Sequence, residues 1–245
     1  MSQSPASTVS TVEKAFLLLE FLAAARKPAS LNDVTIAAGL PKPTAYRLLR
    51  SLQQMGYVSR PVGSRDYVIG PRAARLGATD PYTELKAAVR PVLRKLHGEL
   101  NETINLGVLS GTQVLYLDFI ETTQPLRYIV TPGESDLYFK TALGRAIAAQ
   151  LSEPQLNSLL QATAFGRGRA GSAAKESLLA AVAAARENGF AEEREEAAAG
   201  VSCLALGLGF LGFPEAAISV AVPIQRLTAE ARHAIITALK ACACG

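Results

Sequence analysis

Histidine, cysteine and tryptophan are scarce in this sequence of 245 residues: two His, three Cys and no Trp. Three cysteines, two of them crowded at Cys242 and Cys244, cannot make a disulfide framework, which points to a reducing compartment. Cys242-x-Cys244 has no third ligand nearby, so no metal site and no cofactor is expected. His97 and His233 fall in segments that read as helices, outside any Gly/Asn-rich loop, and there is no nucleophile-elbow motif. Cys203 therefore lacks the base that a catalytic thiol needs. No G-x-G-x-x-G precedes a helix, and no P-loop is present.

Long apolar runs are missing too. Residues 197–214 (AAAGVSCLALGLGFLGFP) carry no charge, but they hold four Gly and a Pro between Glu196 and Glu215. A spanning helix needs about 20 apolar residues. The segment reads as a buried strand entering a hairpin, with residues 216–224 (AAISVAVPI) as the returning strand, and no membrane contact is expected. The opening MSQSPASTVSTVEK shows no basic segment followed by an apolar run, so no signal peptide is expected and the cytoplasm is the expected location.

What is present is a foldable chain with an uneven charge. Apolar residues make up 49% and charged residues 19%, enough for packed cores in two ordinary domains. The net charge of +4 hides a split. Residues 1–77 hold ten basic and four acidic side chains, a net of +6. The remainder holds 15 basic and 17 acidic, a net of −2. A basic head on a slightly acidic body suggests a nucleic-acid contact confined to the head.

The head reads as a winged helix-turn-helix over residues 1–78. Ser10 and Glu13 form a capping box that starts a helix ending before Pro28. Ser30 caps a short second helix, LNDVTIAA, with Leu31, Val34 and Ala38 inward and Gly39 as its stop. A third helix runs from Lys42 to about Met55, with Ala45, Leu48, Leu49 and Leu52 at helical spacing. Its other face carries Lys42, Thr44, Tyr46, Arg47, Arg50 and Ser51, as a recognition helix would. Residues 57–60 and 66–69 read as a hairpin, a wing with Arg60 at its base and Arg65 at its tip.

Asp80 and Pro81 are expected to start a linker helix over residues 79–98, with Pro91 as a bend or break. Its stripe of Leu85, Val89, Leu93 and Leu96 is expected to be exposed, which suits dimerisation. Residues 99–245 read as an α+β domain, an antiparallel sheet with helices packed on it. Its expected strands are 103–109 and 113–119, turned at Ser110-Gly111, then 126–130 and the hairpin described above. Its expected helices are 141–151, one opened by the capping box Ser152-Glu153-Pro154-Gln155, 172–187, and 228 to about 241.

The stretch LNDVTIAAGLPKPTAYRLLRSLQQMGYV resembles the head of the IclR family of bacterial transcriptional regulators. KTALGRAIAAQLS, ENGFAEEREEAAAGVSCLAL and AAISVAVPIQRLT follow in the family's order, so the resemblance runs from about Ser10 to the last helix. It implies a head that binds double-stranded operator DNA as a homodimer, often paired into a tetramer. It also implies a GAF-like body that binds a small-molecule effector, commonly a carboxylate or aromatic acid. By motif, the effector site would take Ala142, Leu143 and Gly144 of the TALG turn, Glu193, Cys203 and Ser219. Backbone N–H groups opening that helix suit an anion. The sequence departs from the family at Ala221, where a second polar residue is usual, which leans toward a more apolar effector. It departs again at the hairpin tip, where Phe210, Leu211 and Phe213 either meet another subunit or fold back onto their own core.

The expected function is transcription regulation modulated by a metabolite. Lys42, Thr44, Tyr46 and Arg47 would read the major groove, Arg50 would hold phosphate, and Arg60 and Arg65 would serve the wing. An enzyme with an appended DNA-binding head would need an acid/base pair, and only Glu193 stands near the expected site. A purely structural DNA-binding protein has no use for so large a body.

Overall fold

The computed structural model describes residues 10–76 and 80–243. The chain divides into two compact units between Pro81 and Tyr82.

The first unit holds α1 (Thr11–Ala24), α2 (Leu31–Ala38), α3 (Lys42–Gln54), β1 (Val58–Ser59), β2 (Val68–Ile69) and α4 (Pro71–Leu76). The Ser10–Glu13 capping box forms, and Ser30 caps α2 as expected, with Asp33 closing a second box. Gly39 ends α2 at φ 61°, a left-handed conformation that glycine takes without a side-chain penalty. Ala45, Leu48, Leu49 and Leu52 of α3 are all buried. The three leucines pack with Leu18, Leu22, Val34 and Tyr67. Leu31 and Ala38 rest on this core from its edge. The expected wing strands pair over two residues each, and an isolated bridge ties Ala29 to Tyr67.

The second unit holds α5 (Thr83–Leu100), β3 (Thr103–Ser110), β4 (Gln113–Ile120), β5 (Ser135–Leu137), α6 (Ala142–Gln150) and α7 (Glu153–Ala162). It continues with α8 (Gly168–Asn188), β6 (Ala191–Arg194), β7 (Val201–Leu208), β8 (Phe213–Pro223) and α9 (Ala229–Ala243). Six strands form one antiparallel sheet in the order β5-β4-β3-β8-β7-β6.

The two faces of this sheet differ in side-chain size, and that difference places the site. On β3, Ile104, Leu106 and Val108 share one face, as do Ile218, Val220 and Val222 on β8. These bulky side chains pack under α5 and α9. The opposite face carries Thr103, Asn105 and Gly107 on β3 and Ala217, Ser219 and Ala221 on β8. Small residues there let α6 approach closely. A Cβ on Gly107 would lie 3.0 Å from Leu143 and 2.6 Å from Val114.

Several expectations change. The stripe of Leu85, Val89, Leu93 and Leu96 is buried against the unit's own sheet, so it is a core face and not an exposed dimerisation surface. The helix starts at Thr83, so Asp80 and Pro81 precede it, and Pro91 on its exposed side does not break it. Residues 126–130 form no strand. The edge position beside β4 is taken by β5, because the Pro132-Gly133 turn delivers Ser135 in register with Leu115. The Leu126 carbonyl instead accepts from Arg226 at 2.6 Å. Ser110 pairs with Gln113, which makes Gly111-Thr112 the turn, with Gly111 at φ 60°. The hairpin tip divides: Phe213 packs onto the core, while Phe210 and Leu211 stay exposed.

Candidate DNA-binding face and effector cavity

In the first unit, burial of one face of α3 leaves Lys42, Tyr46, Arg47 and Arg50 exposed, with Thr44 half-buried. No acidic residue stands in the first turn of α3. Arg65 is exposed in the turn between β1 and β2. Arg60 sits differently from a free wing arginine. Its guanidinium lies over the Tyr67 ring at 4.4 Å and contacts the Tyr67 hydroxyl. Arg60 and Arg50 line one groove together with Tyr46, Gln53 and Gln54.

In the second unit, the small-residue face of the sheet and the start of α6 border a partly open cavity of about 10 Å³, room for a single water. Ala142, Leu143, Glu193, Cys203 and Ser219 all line it. Gly144 does not. Its N–H is taken by Thr141 Oγ1 at 3.0 Å, and a Cβ there would meet the Tyr138 carbonyl oxygen at 2.1 Å. Its role is close packing. The N–H groups of Ala142 and Leu143, in the first turn of α6, have no partner among the described residues.

The sequence reading missed Asn105, Tyr116, Tyr128, Ala197, Ala198 and Val201 as lining residues. One signal for Asn105 was available. It is the polar residue on the small face of a strand whose other face is Ile and Leu. Asn105 stands opposite Ser219 in register. Tyr116 donates to Asp136 at 3.0 Å.

Glu193 is 2% exposed. Its Oε2 accepts from the N–H of Glu196 at 3.0 Å and of Ala197 at 3.4 Å, which folds the acidic loop back over the cavity. Burial pushes the Glu193 carboxyl up, and those two N–H groups with the Cys203 thiol pull it partly back. Burial, reinforced by Glu193, pushes the Cys203 thiol well above its ordinary value. Cys203 is thus held as a thiol, the opposite of an activated nucleophile. Arg145, 4% exposed, holds the loop from behind. It donates to the Phe139 and Glu192 carbonyls, both at 3.2 Å, and to Glu196 Oε2 at 2.5 Å.

No cluster of three potential metal ligands occurs among the described residues. Cys242 donates its thiol to the Ala238 carbonyl, and Cys244 lies outside the described residues. No described helix is long and apolar enough to cross a membrane.

A helix-turn-helix with an exposed basic face and, in a separate unit, a small cavity holding buried polar groups fit a DNA-binding regulator with a small-molecule sensor. Comparison with known proteins makes this specific. The family model for the bacterial transcriptional regulator IclR C-terminal domain matches residues 81–244, and the IclR helix-turn-helix model matches residues 11–61. The transcriptional repressor IclR of Escherichia coli is 32% identical over 225 residues, covering 90% of this chain and 82% of that protein. The fold matches a crystal structure of Thermotoga maritima IclR with TM-score 0.69 at 21% identity, covering 95% of each chain. It also matches an IclR homologue from Microbacterium hydrocarbonoxydans complexed with 4-hydroxybenzoate, with TM-score 0.65 at 20% identity, covering 95% of this chain and 100% of that one. The chain belongs to the IclR family of bacterial transcriptional regulators. It is a DNA-binding regulator with a C-terminal effector-binding domain, and not an enzyme.

Proposed function

We propose that this protein binds operator DNA through α3 and the wing, and that a small acid in the cavity beside α6 modulates that binding. The observation that carries this reading is the cavity, with its buried unpaired polar groups, in the same chain as the basic α3 face; at about 10 Å³ it admits an acid by widening.

Lys42, Thr44, Tyr46 and Arg47 read base edges, and Arg50 holds phosphate. Arg65 reaches the backbone or the minor groove. Arg60, stacked on Tyr67 beside Arg50, joins it as a phosphate contact at the base of the wing. In the cavity, the free N–H groups of Ala142 and Leu143 receive the anionic end of the effector, at the positive end of the α6 dipole. Ser219 adds a hydroxyl that makes no hydrogen bond among the described residues. Ala221 adds none, which favours an effector with an apolar middle. The 4-hydroxybenzoate bound by the related protein is an acid of this kind.

The protein acts in the cytoplasm as a homodimer or tetramer, away from membranes. Exposed Phe16 and Leu17 on α1, and Phe210 and Leu211 at the hairpin tip, offer apolar surface to a second copy. A mobility-shift assay with DNA from upstream of its own gene tests the reading. A complex at low salt that dissociates steeply as salt rises supports it, and no complex at low salt refutes it.

A further inference from the structure

We propose that the effector carries, besides its acid group, a hydrogen-bond donor, an O–H or N–H, and that Asn105 and Glu193 receive it. This rests on the reading of the cavity as the effector site.

Asn105 and Glu193 are 3% and 2% exposed, and both line the cavity. Asn105 Oδ1 and Glu193 Oε1 are buried without a hydrogen-bond partner. Buried acceptors are nearly always paired, because an unpaired one forfeits its hydration with no return. Two such atoms lining one cavity, one from β3 and one from β6, mark where a ligand's donor completes the structure. The other Glu193 oxygen is already held by the N–H groups of Glu196 and Ala197, and Cys203 beside the carboxyl is only a weak thiol donor, so Oε1 is left to recognise a stronger one.

Packing does not account for Asn105. It sits between Thr103 and Gly107 on the small face of β3, where an apolar side chain of the same size would leave nothing unpaired. Charge fixes the direction in which the ligand lies. Above its raised pKa the Glu193 carboxyl is charged and repels an anionic group, so the acid end turns to the N–H groups of Ala142 and Leu143 and the donor end turns to Glu193 and Asn105. An acid without a donor would leave both acceptors unpaired and dry. A site with buried polar groups rejects such an analogue more strongly than an apolar pocket rejects a changed methylene.

Calorimetric titration of the full chain with matched pairs tests this: lactate and alanine each against propionate, and 4-hydroxybenzoate and 4-aminobenzoate each against benzoate. The donor-bearing member binds at least about tenfold more tightly in one size class. The hydroxy and amino arms tell which donor is read. Asn105→Leu erases the ratio and raises the melting temperature of the ligand-free protein by roughly 2–4 °C, because an unpaired acceptor is gone. A residue kept for packing would instead lower it. Should that variant fail to fold, Glu193→Gln with the same ratio as readout replaces it, and it narrows the ratio. Equal affinity within every pair overturns the donor requirement and leaves the effector site standing. Binding of no acid at all overturns both.

Discussion

Arg145 reaches the Glu196 carboxylate at 2.5 Å from a position 4% exposed, and it anchors the acidic loop over the cavity beside α6. The same guanidinium holds the carbonyls of Phe139 and Glu192, so one side chain joins the approach to α6, strand β6 and the acidic loop. Arg145→Gln leaves those acceptors short of donors. It is expected to cost about 1.5–3 kcal/mol, near the range for hydrogen bonds to a charged group, since Glu196 is partly exposed and its share is screened. Urea denaturation measures the loss, and effector affinity falls with it because Ala197 and Ala198 line the cavity.

Glu193 makes stability depend on pH. Its carboxyl is raised by burial, so the folded protein binds its proton more readily than the unfolded chain does. Between the ordinary carboxylate value and the raised one, this group makes stability fall as pH rises. Above the raised value the cost is fully present, and it is relieved on acidification. Glu193→Gln therefore flattens that part of the stability profile, and melting temperatures across the mildly acidic range check it. An identical slope in the variant contradicts the assignment.

The exposed face of α3 predicts two different losses. Arg47→Ala costs specific operator binding about 1–3 kcal/mol and relaxes base preference. Arg50→Ala weakens operator and unrelated DNA about equally, and it lowers the salt slope by about one. Parallel titrations against both DNAs at several salt concentrations separate them.

Leu93 is fully buried in the stripe of α5 against the sheet. Leu93→Ala is expected to cost about 2–5 kcal/mol. Because the stripe belongs to the unit's own core, the loss is the same at low and high protein concentration. Denaturation at two concentrations distinguishes this from a broken subunit contact.

The first unit was the most legible. Its capping boxes, the spacing of Ala45, Leu48, Leu49 and Leu52, and the Gly39 stop are local signals, and the structure follows them. The second unit was legible where strands alternate and misread where long-range packing decides. A lone helix cannot show whether its stripe meets solvent or a sheet, and residues 126–130 have the apolar and β-branched make-up of a strand yet lose the edge position to β5. Motif likeness gathered Ala142, Leu143, Glu193, Cys203 and Ser219 around one cavity. It passed over Asn105 because the significance of an asparagine on β3 depends on the β8 strand that pairs with it far along the chain.

The most direct test of the account measures DNA affinity with and without the effector. Fluorescence anisotropy of labelled DNA from upstream of the gene is titrated with the full chain, in the presence and absence of an acid shown by calorimetry to bind. The account predicts that the acid changes DNA affinity about 5–150-fold, a usual range for coupling between two sites, and that Ser219→Val in the cavity abolishes the change while the variant still binds DNA. Equal DNA affinity with and without a bound acid would contradict it.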